Sequence, residues 1–273
     1  MKTLIWISIG LTLGVIIGTS GSNFFDMKSK ARIFSKVNRI IQTAKPVLPL
    51  KVVGWIPYWD APAAFESFVT YSKNIDAVGL FWYHLTPTGT IASYKSATVD
   101  PKIIVAARAA NVQVMAVLAN MPDYTEDITN WDWQRVDLVI STAEARQNHI
   151  TEIVNLVIDN KFDGLDLDYE ALRSGQRDDF SLFVSELAAA LHEKGKLLGV
   201  AVHPKTSETD PNEDNGSHGQ DWQSIIKVVD KMYLMTYTEH YKGSQPGPPG
   251  SLPWIERVVE YANTLGLPPK KIF

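Results

Sequence analysis

The feature that most limits what this chain can fold into is its alternation of two patterns. Residues 52–56, 76–83 and 112–119 are continuous apolar runs, and 197–202 and 231–237 repeat the type. Such runs are strands covered on both faces. Between them lie helical patterns. Ile150, Ile153, Val154, Val157 and Ile158 recur at i, i+3, i+4, i+7 and i+8, as do Phe180, Phe183, Val184, Leu187 and Leu191 further on. Each set is one stripe of a helix, and Gly195 stands where a C-terminal cap belongs. A polar loop spans 207–220, a last helix is expected over 254–265, and 271–273 opens another strand.

Strands and helices alternating at this length imply βα units and a parallel sheet. An open doubly wound sheet and a closed (β/α)8 barrel both satisfy that pattern. After the first strand stands Trp55-Ile-Pro-Tyr-Trp59 rather than a Gly-rich nucleotide fingerprint, which favours the barrel. The expectation is therefore an α/β chain, a (β/α)8 TIM barrel truncated after its sixth βα unit. Functional groups of such a barrel gather at the C-terminal strand ends. Tyr58, Trp59, Tyr83, His84, Asn120, Met121, Glu170, His203 and Tyr237 fall there.

One strand carries acids. In residues 162–170, Asp166, Asp168 and Glu170 alternate with Leu165, Leu167 and Tyr169, so a strand puts the three carboxylates on one face. Neighbours in such a row stand roughly 6 to 7 Å apart, close enough in a shielded site for like charges to raise one pKa. A protonated acid beside ionised ones is equipment for splitting an acetal. A solvated edge strand is the bland alternative, and the Val/Leu/Ile-rich context disfavours it because buried charges are costly unless used. A divalent-metal site is the other, disfavoured because no His or further acid follows closely. No metal and no cofactor are expected.

Composition narrows the classes further. A net charge of -4 over 273 residues gives no basic surface, so nucleic acid is not an expected partner. The absence of cysteine excludes disulfides, zinc-thiolate sites and a thiol nucleophile. At the start, Lys2 precedes an apolar run over 4–17 and small residues over 18–22, the pattern of a signal peptide or membrane anchor. Residues 23–49 read as a linker and 50–273 as the barrel. Lys28, Lys30, Arg32, Lys36, Arg39 and Lys45 follow the apolar run, which the positive-inside rule would keep cytoplasmic. On balance the expectation is export, to the cell wall or the outer face of the membrane.

Asp163-Gly-Leu-Asp-Leu-Asp-Tyr-Glu170 resembles the D-G-x-D-x-D-x-E signature of glycoside hydrolase family 18, the chitinase-like barrels. Met235-Thr-Tyr237 is similar to that family's M-x-Y-D. Phe81-Trp-Tyr83, Gly89-Thr-Ile91 and Ser244-Gln-Pro-Gly-Pro248 resemble its bacterial members associated with cell walls and spores. The resemblance implies hydrolysis of β-1,4 bonds in N-acetylglucosamine polymers, chitin or peptidoglycan. It implies Glu170 as general acid and base, with the substrate's own acetamido oxygen as nucleophile. By the same resemblance Asp168 orients the acetamido group, Asp166 supports Asp168, and Tyr237 donates to the acetamido group. Trp55, Tyr58, Trp59, Trp82 and Tyr83 are the candidates to shape the sugar cleft. Two departures stand out. The family carries an acid after the sixth-strand Tyr, where this chain has Thr238 and then Glu239. The strands closing the barrel are also missing, so the alternative function is a non-catalytic carbohydrate-binding barrel, inactive through truncation.

Overall fold

A computed structural model describes residues 50–273 except 96, 98, 99, 127–129, 210–215 and 242. The expected leader and linker over 1–49 lie outside the described residues. Among the described residues no helix is long and apolar enough to cross a membrane.

The strands are β1 (Val53–Pro57), β2 (Ala77–Leu85), β3 (Ile91–Ser93), β4 (Gln113–Ala119), β5 (Gly164–Asp168), β6 (Leu197–Val202) and β7 (Lys231–Leu234). The helices are α1 (Ala61–Tyr71), α2 (Pro101–Ala109), α3 (Trp133–Ile140), α4 (Ala143–Asp159), α5 (Arg177–Glu193), α6 (Trp222–Val228) and α7 (Leu252–Thr264). Strand order is β1-β2-β4-β5-β6-β7, parallel throughout, with β3 antiparallel on β2. This is an incomplete (β/α)8 barrel, a half-barrel of parallel strands with flanking helices. The start of a further strand is present as well. Ile272 forms a parallel bridge with Met232, and the Phe273 N–H donates to the Met232 carbonyl at 3.0 Å.

Alternation along the strands divides the molecule. Leu165, Leu167 and Tyr169 are fully buried with Phe180, Phe183, Val184, Leu187 and Leu191 of α5, in the core between sheet and helices. Tyr169 anchors that outer side: its hydroxyl lies 2.7 Å from His149 Nε2, and its ring stacks on Phe183. α5 ends where expected, with Gly195 in the left-handed region at φ 66°, a conformation glycine adopts without steric cost. Thr142 starts α4 by accepting from the Ala145 N–H at 3.1 Å, the usual satisfaction of an orphan donor. The α4 stripe is narrower than its spacing suggests. Ile150, Ile153 and Val157 are buried, Val154 is partly buried, and Ile158, next to the helix end, is 41% exposed.

Most expected bounds shift by one or two residues, and two differences are larger. The last strand stops at Leu234, not at 237: the Thr236 and Tyr237 N–H groups donate to carbonyls two residues back, at 2.7 and 2.8 Å, and those tight turns end the ladder. The short β3, paired with the end of β2, was not anticipated from the apolar pattern. Gly89, at φ 80°, makes the turn before it.

Candidate active site

The inner faces of the parallel strands line a cavity of about 300 Å³, bordered by Trp55, Phe81, Val117, Asp166, Asp168, Ala201, Tyr233, Tyr237 and others. The ladder sets who meets whom: Asp166 is level with Val117 on one side and Gly199 on the other. Gly199 is needed there. A Cβ at this position would overlap Asp166 Oδ1 and approach the Tyr233 ring to 2.7 Å. We expect Gly199→Ala to cost about 1–3 kcal/mol, seen as a lower urea midpoint. An unchanged midpoint would mean that the carboxylate and ring simply move aside.

Asp166 is 3% exposed and accepts from the Tyr233 hydroxyl at 3.0 Å. Its other oxygen has no hydrogen-bond partner among the described residues. Burial pushes its carboxyl up to about 6, against the opposing pull of the Lys231 ammonium and the Tyr233 hydroxyl. Lys231 lies under the row with its ammonium donating to Gln113 Oε1 at 3.1 Å, and burial holds its pKa below the ordinary lysine value. Burial, then the charges of Glu170 and Asp166, push Asp168 well above the carboxylate range. Two adjacent members of the row are therefore reluctant to ionise together, which is the physical condition for a shared proton.

The Asp166 shift has a stability consequence. The folded chain keeps this proton up to about pH 6, while an unfolded aspartate releases it near pH ~4. The native state then binds more protons than the unfolded one across that window, so stability falls as pH rises through it. Asp166→Asn removes this titration. Between pH 4 and 7 we expect the wild type to lose about 2–3 kcal/mol relative to the variant, measured by urea unfolding at each pH. Parallel stability curves would refute the shift.

Glu170 lies two residues beyond the end of β5, with its side chain 16% exposed. Asn120, fully buried after β4, holds its main chain. The Asn120 amide donates to the Glu170 carbonyl at 2.9 Å and accepts from the Glu170 N–H at 2.8 Å. These two bonds continue the ladder past the strand end and keep Glu170 on the side of the acid row. His203, after β6, brings Nε2 to 3.2 Å from Glu170 Oε2. Tyr237 lines the same cavity as Asp168; desolvation, then the charges of Asp168 and Glu170, push its hydroxyl up to about 12, although 63% of the residue is open to solvent.

The aromatic candidates separate into two groups. Trp55 lines the cavity, meets Tyr233 edge to face at 5.3 Å, and is 45% exposed. Trp59, four residues on, is 63% exposed and in T-shaped contact with Tyr58 and Phe81. Tyr58 is partly buried, stacked on Tyr94 at 4.1 Å. Trp82 and Tyr83 do not reach the cavity: both are buried in the core, Tyr83 against Phe162. A register shift between Phe81 and Tyr83 breaks the simple alternation, and it is Phe81 that lines the cavity. Glu239 is engaged elsewhere, accepting from the Ser251 N–H and hydroxyl at the start of α7, so it does not supply the acid that Thr238 lacks.

A larger cavity of about 660 Å³ opens where Asp76, Gln113, Leu197 and Lys231 begin their strands. None of the three row acids lines it, and chemistry in barrels of this kind gathers at the opposite end. Among the described residues no cluster of His, Asp or Glu could hold a metal ion.

Comparison with known proteins fits this geometry. The chain is 29% identical over 191 residues to "Putative sporulation-specific glycosylase YdhD" of Bacillus subtilis (strain 168), covering 70% of this chain and 43% of that protein. It is 28% identical over 135 residues to the cortical fragment-lytic enzyme of the same organism, covering 50% of this chain and 31% of that one. The chain thus spans less than half the length of these two relatives. The crystal structure of a chitinase from Chromobacterium violaceum ATCC 12472 superimposes with a TM-score of 0.72 at 23% identity, over 82% of this chain and 67% of that one, a likeness of fold. The model of glycosyl hydrolases family 18 matches residues 127–273, a span that includes the whole acid row, Tyr237 and three of the parallel strands. The chain belongs to glycosyl hydrolases family 18.

Proposed function

We propose that this chain hydrolyses β-1,4 bonds next to N-acetylglucosamine, in chitin or peptidoglycan, by a substrate-assisted retaining mechanism. The observation that carries this reading is the row Asp166, Asp168 and Glu170 beside an aromatic-walled cavity, in which burial raises Asp166 and burial with the charges of Glu170 and Asp166 raises Asp168. Glu170 gives its proton to the glycosidic oxygen as the C1–O bond breaks. The acetamido carbonyl oxygen of the same sugar bonds to C1, forming an oxazolinium ion. Asp168 accepts the acetamido N–H and offsets the positive charge that develops there. Asp166, held by Tyr233, is the neighbour able to take up a proton that Asp168 gives up. Tyr237 donates to the acetamido oxygen. Glu170, now a carboxylate, takes a proton from water as that water attacks C1 and the acetamide is restored.

Trp55, Tyr58 and Trp59 supply ring faces for sugar at the mouth of the site, with Phe81 in the place first expected for Trp82 and Tyr83. The names of the curated relatives favour spore or cell-wall glycans, which agrees with export of residues 50–273 behind the apolar segment over 1–22. The 23–49 stretch then serves as linker. Incubating the full chain with N-acetylglucosamine oligomers and following new reducing ends by proton NMR tests the mechanism. The β-anomer is expected first. Early appearance of the α-anomer, or carbohydrate binding with no cleavage, would overturn it in favour of an inverting or purely binding protein.

A further inference from the structure

His203 is a buried imidazole with an unusual lack of partners. It is 4% exposed at the end of β6, and neither ring nitrogen has a hydrogen-bond partner among the described residues. A buried polar group left this way costs stability and calls for a reason. Among the described residues, Glu170 Oε2 lies 3.2 Å from Nε2, a close contact that is not yet a well-directed hydrogen bond. Contacts of this kind are often loose in unliganded sites and tighten on the way to the transition state.

The surroundings hold both members of the pair. Gln220, fully buried, accepts the His203 N–H at 2.8 Å. Its amide donates to the carbonyls of Tyr169, the residue before Glu170, and of Ala201, each at 3.3 Å. One side chain thus ties the ends of β5 and β6 beyond Leu167 and Val200, where their ladder stops. Asn120 grips the Glu170 main chain from the other neighbouring strand. What remains free in Glu170 is the rotation of its carboxyl, and His203 faces that group.

We propose that His203 positions the Glu170 carboxyl by donating a hydrogen bond from Nε2 to Oε2, which turns Oε1 toward the glycosidic oxygen. The proposal rests on the reading of Glu170 as acid and base. In the tautomer required, Nε2 carries the proton and Nδ1 is bare. The role is one of positioning, because His203 acts on substrate only through Glu170. A general acid must be held to within about 0.5 Å of its productive place, and a rotating carboxyl is not.

Imidazole nitrogen NMR on the 15N-labelled full chain tests the contact without requiring turnover. His203 is assigned by the signal lost in His203→Gln. In Glu170→Ala the His203 Nε2 resonance should move, while that of His149, which is bonded to Tyr169 on the far side of β5, stays near its wild-type position. An unmoved His203 signal overturns the proposal whether or not the chain is active. Kinetics on N-acetylglucosamine oligomers supply a second reading. His203→Phe should lower kcat about 10- to 100-fold with KM little changed, and His203→Gln, which keeps an N–H donor, should recover most of that loss. Equal losses in the two variants would show that the side chain merely fills space. Absence of turnover in the wild type would count against the proposed hydrolysis, while the NMR result would still decide the contact.

Discussion

Glu170→Gln should leave the chain folded and lower kcat on N-acetylglucosamine oligomers by about 10²- to 10⁴-fold, with KM little changed. The substitution is nearly isosteric and keeps both main-chain bonds to Asn120, since those use only the Glu170 N–H and carbonyl. What it removes is the proton given to the leaving oxygen and, in the second step, the carboxylate that receives one from water. Circular dichroism and oligomer binding by calorimetry separate loss of chemistry from loss of fold. A second effect follows from the same row. Burial comes first among the causes that raise Asp168, and the charge of Glu170 comes next, so neutral Gln at 170 should let Asp168 ionise at lower pH. Activity retained in Glu170→Gln would move the acid elsewhere in the row, with Asp168 the first candidate because its proton is already held.

The parts of this site that a period of two could encode were legible before any coordinates. Asp166 and Asp168 separate from Leu165, Leu167 and Tyr169 as strand alternation requires, with the leucines in the core and the acids at the cavity. Glu170 is subtler. The strand ends at Asp168, so parity alone does not keep Glu170 on the acid side; the Asn120 side chain does, from another strand. The same limit explains Trp82 and Tyr83. Trp82 follows Phe81 and takes the core face by simple alternation once Phe81 lines the cavity, whereas the register shift in β2, invisible in an unbroken apolar run, lets Tyr83 join it in the core. His203 and Asn120 could be marked as strand-end residues by counting, but their contacts with Glu170 depend on the register of β4, β5 and β6 together. The alignment of Tyr233, Gly199 and Asp166 is likewise a product of register across three strands, and nothing local in the chain announces it.

Removing the acetyl group from the substrate should abolish cleavage as thoroughly as removing the acid from the protein. In the proposed route the bond to C1 is made by the acetamido oxygen, and an intramolecular group so held can be worth effective molarities of about 10⁵ M or more. Glucosamine oligomers carry an amine there, with no carbonyl oxygen to attack C1 and no amide for Asp168 to orient. The protein offers little in replacement. Of the carboxyls in the cavity wall, Asp168 is held well above the ordinary carboxylate range, and Asp166 is 3% exposed and bound to the Tyr233 hydroxyl, so neither presents a free anion to C1. A conventional retaining pair would require one of them to attack as the anion. The measurement is product formation from an N-acetylated tetramer and its fully deacetylated counterpart at equal concentration and pH. Release from the deacetylated oligomer should fall to background. Comparable release from both would mean that an enzyme carboxylate or water, not the acetamide, makes the bond to C1, and with Asp168 as that carboxylate Asp168→Asn would abolish formation of a glycosyl intermediate.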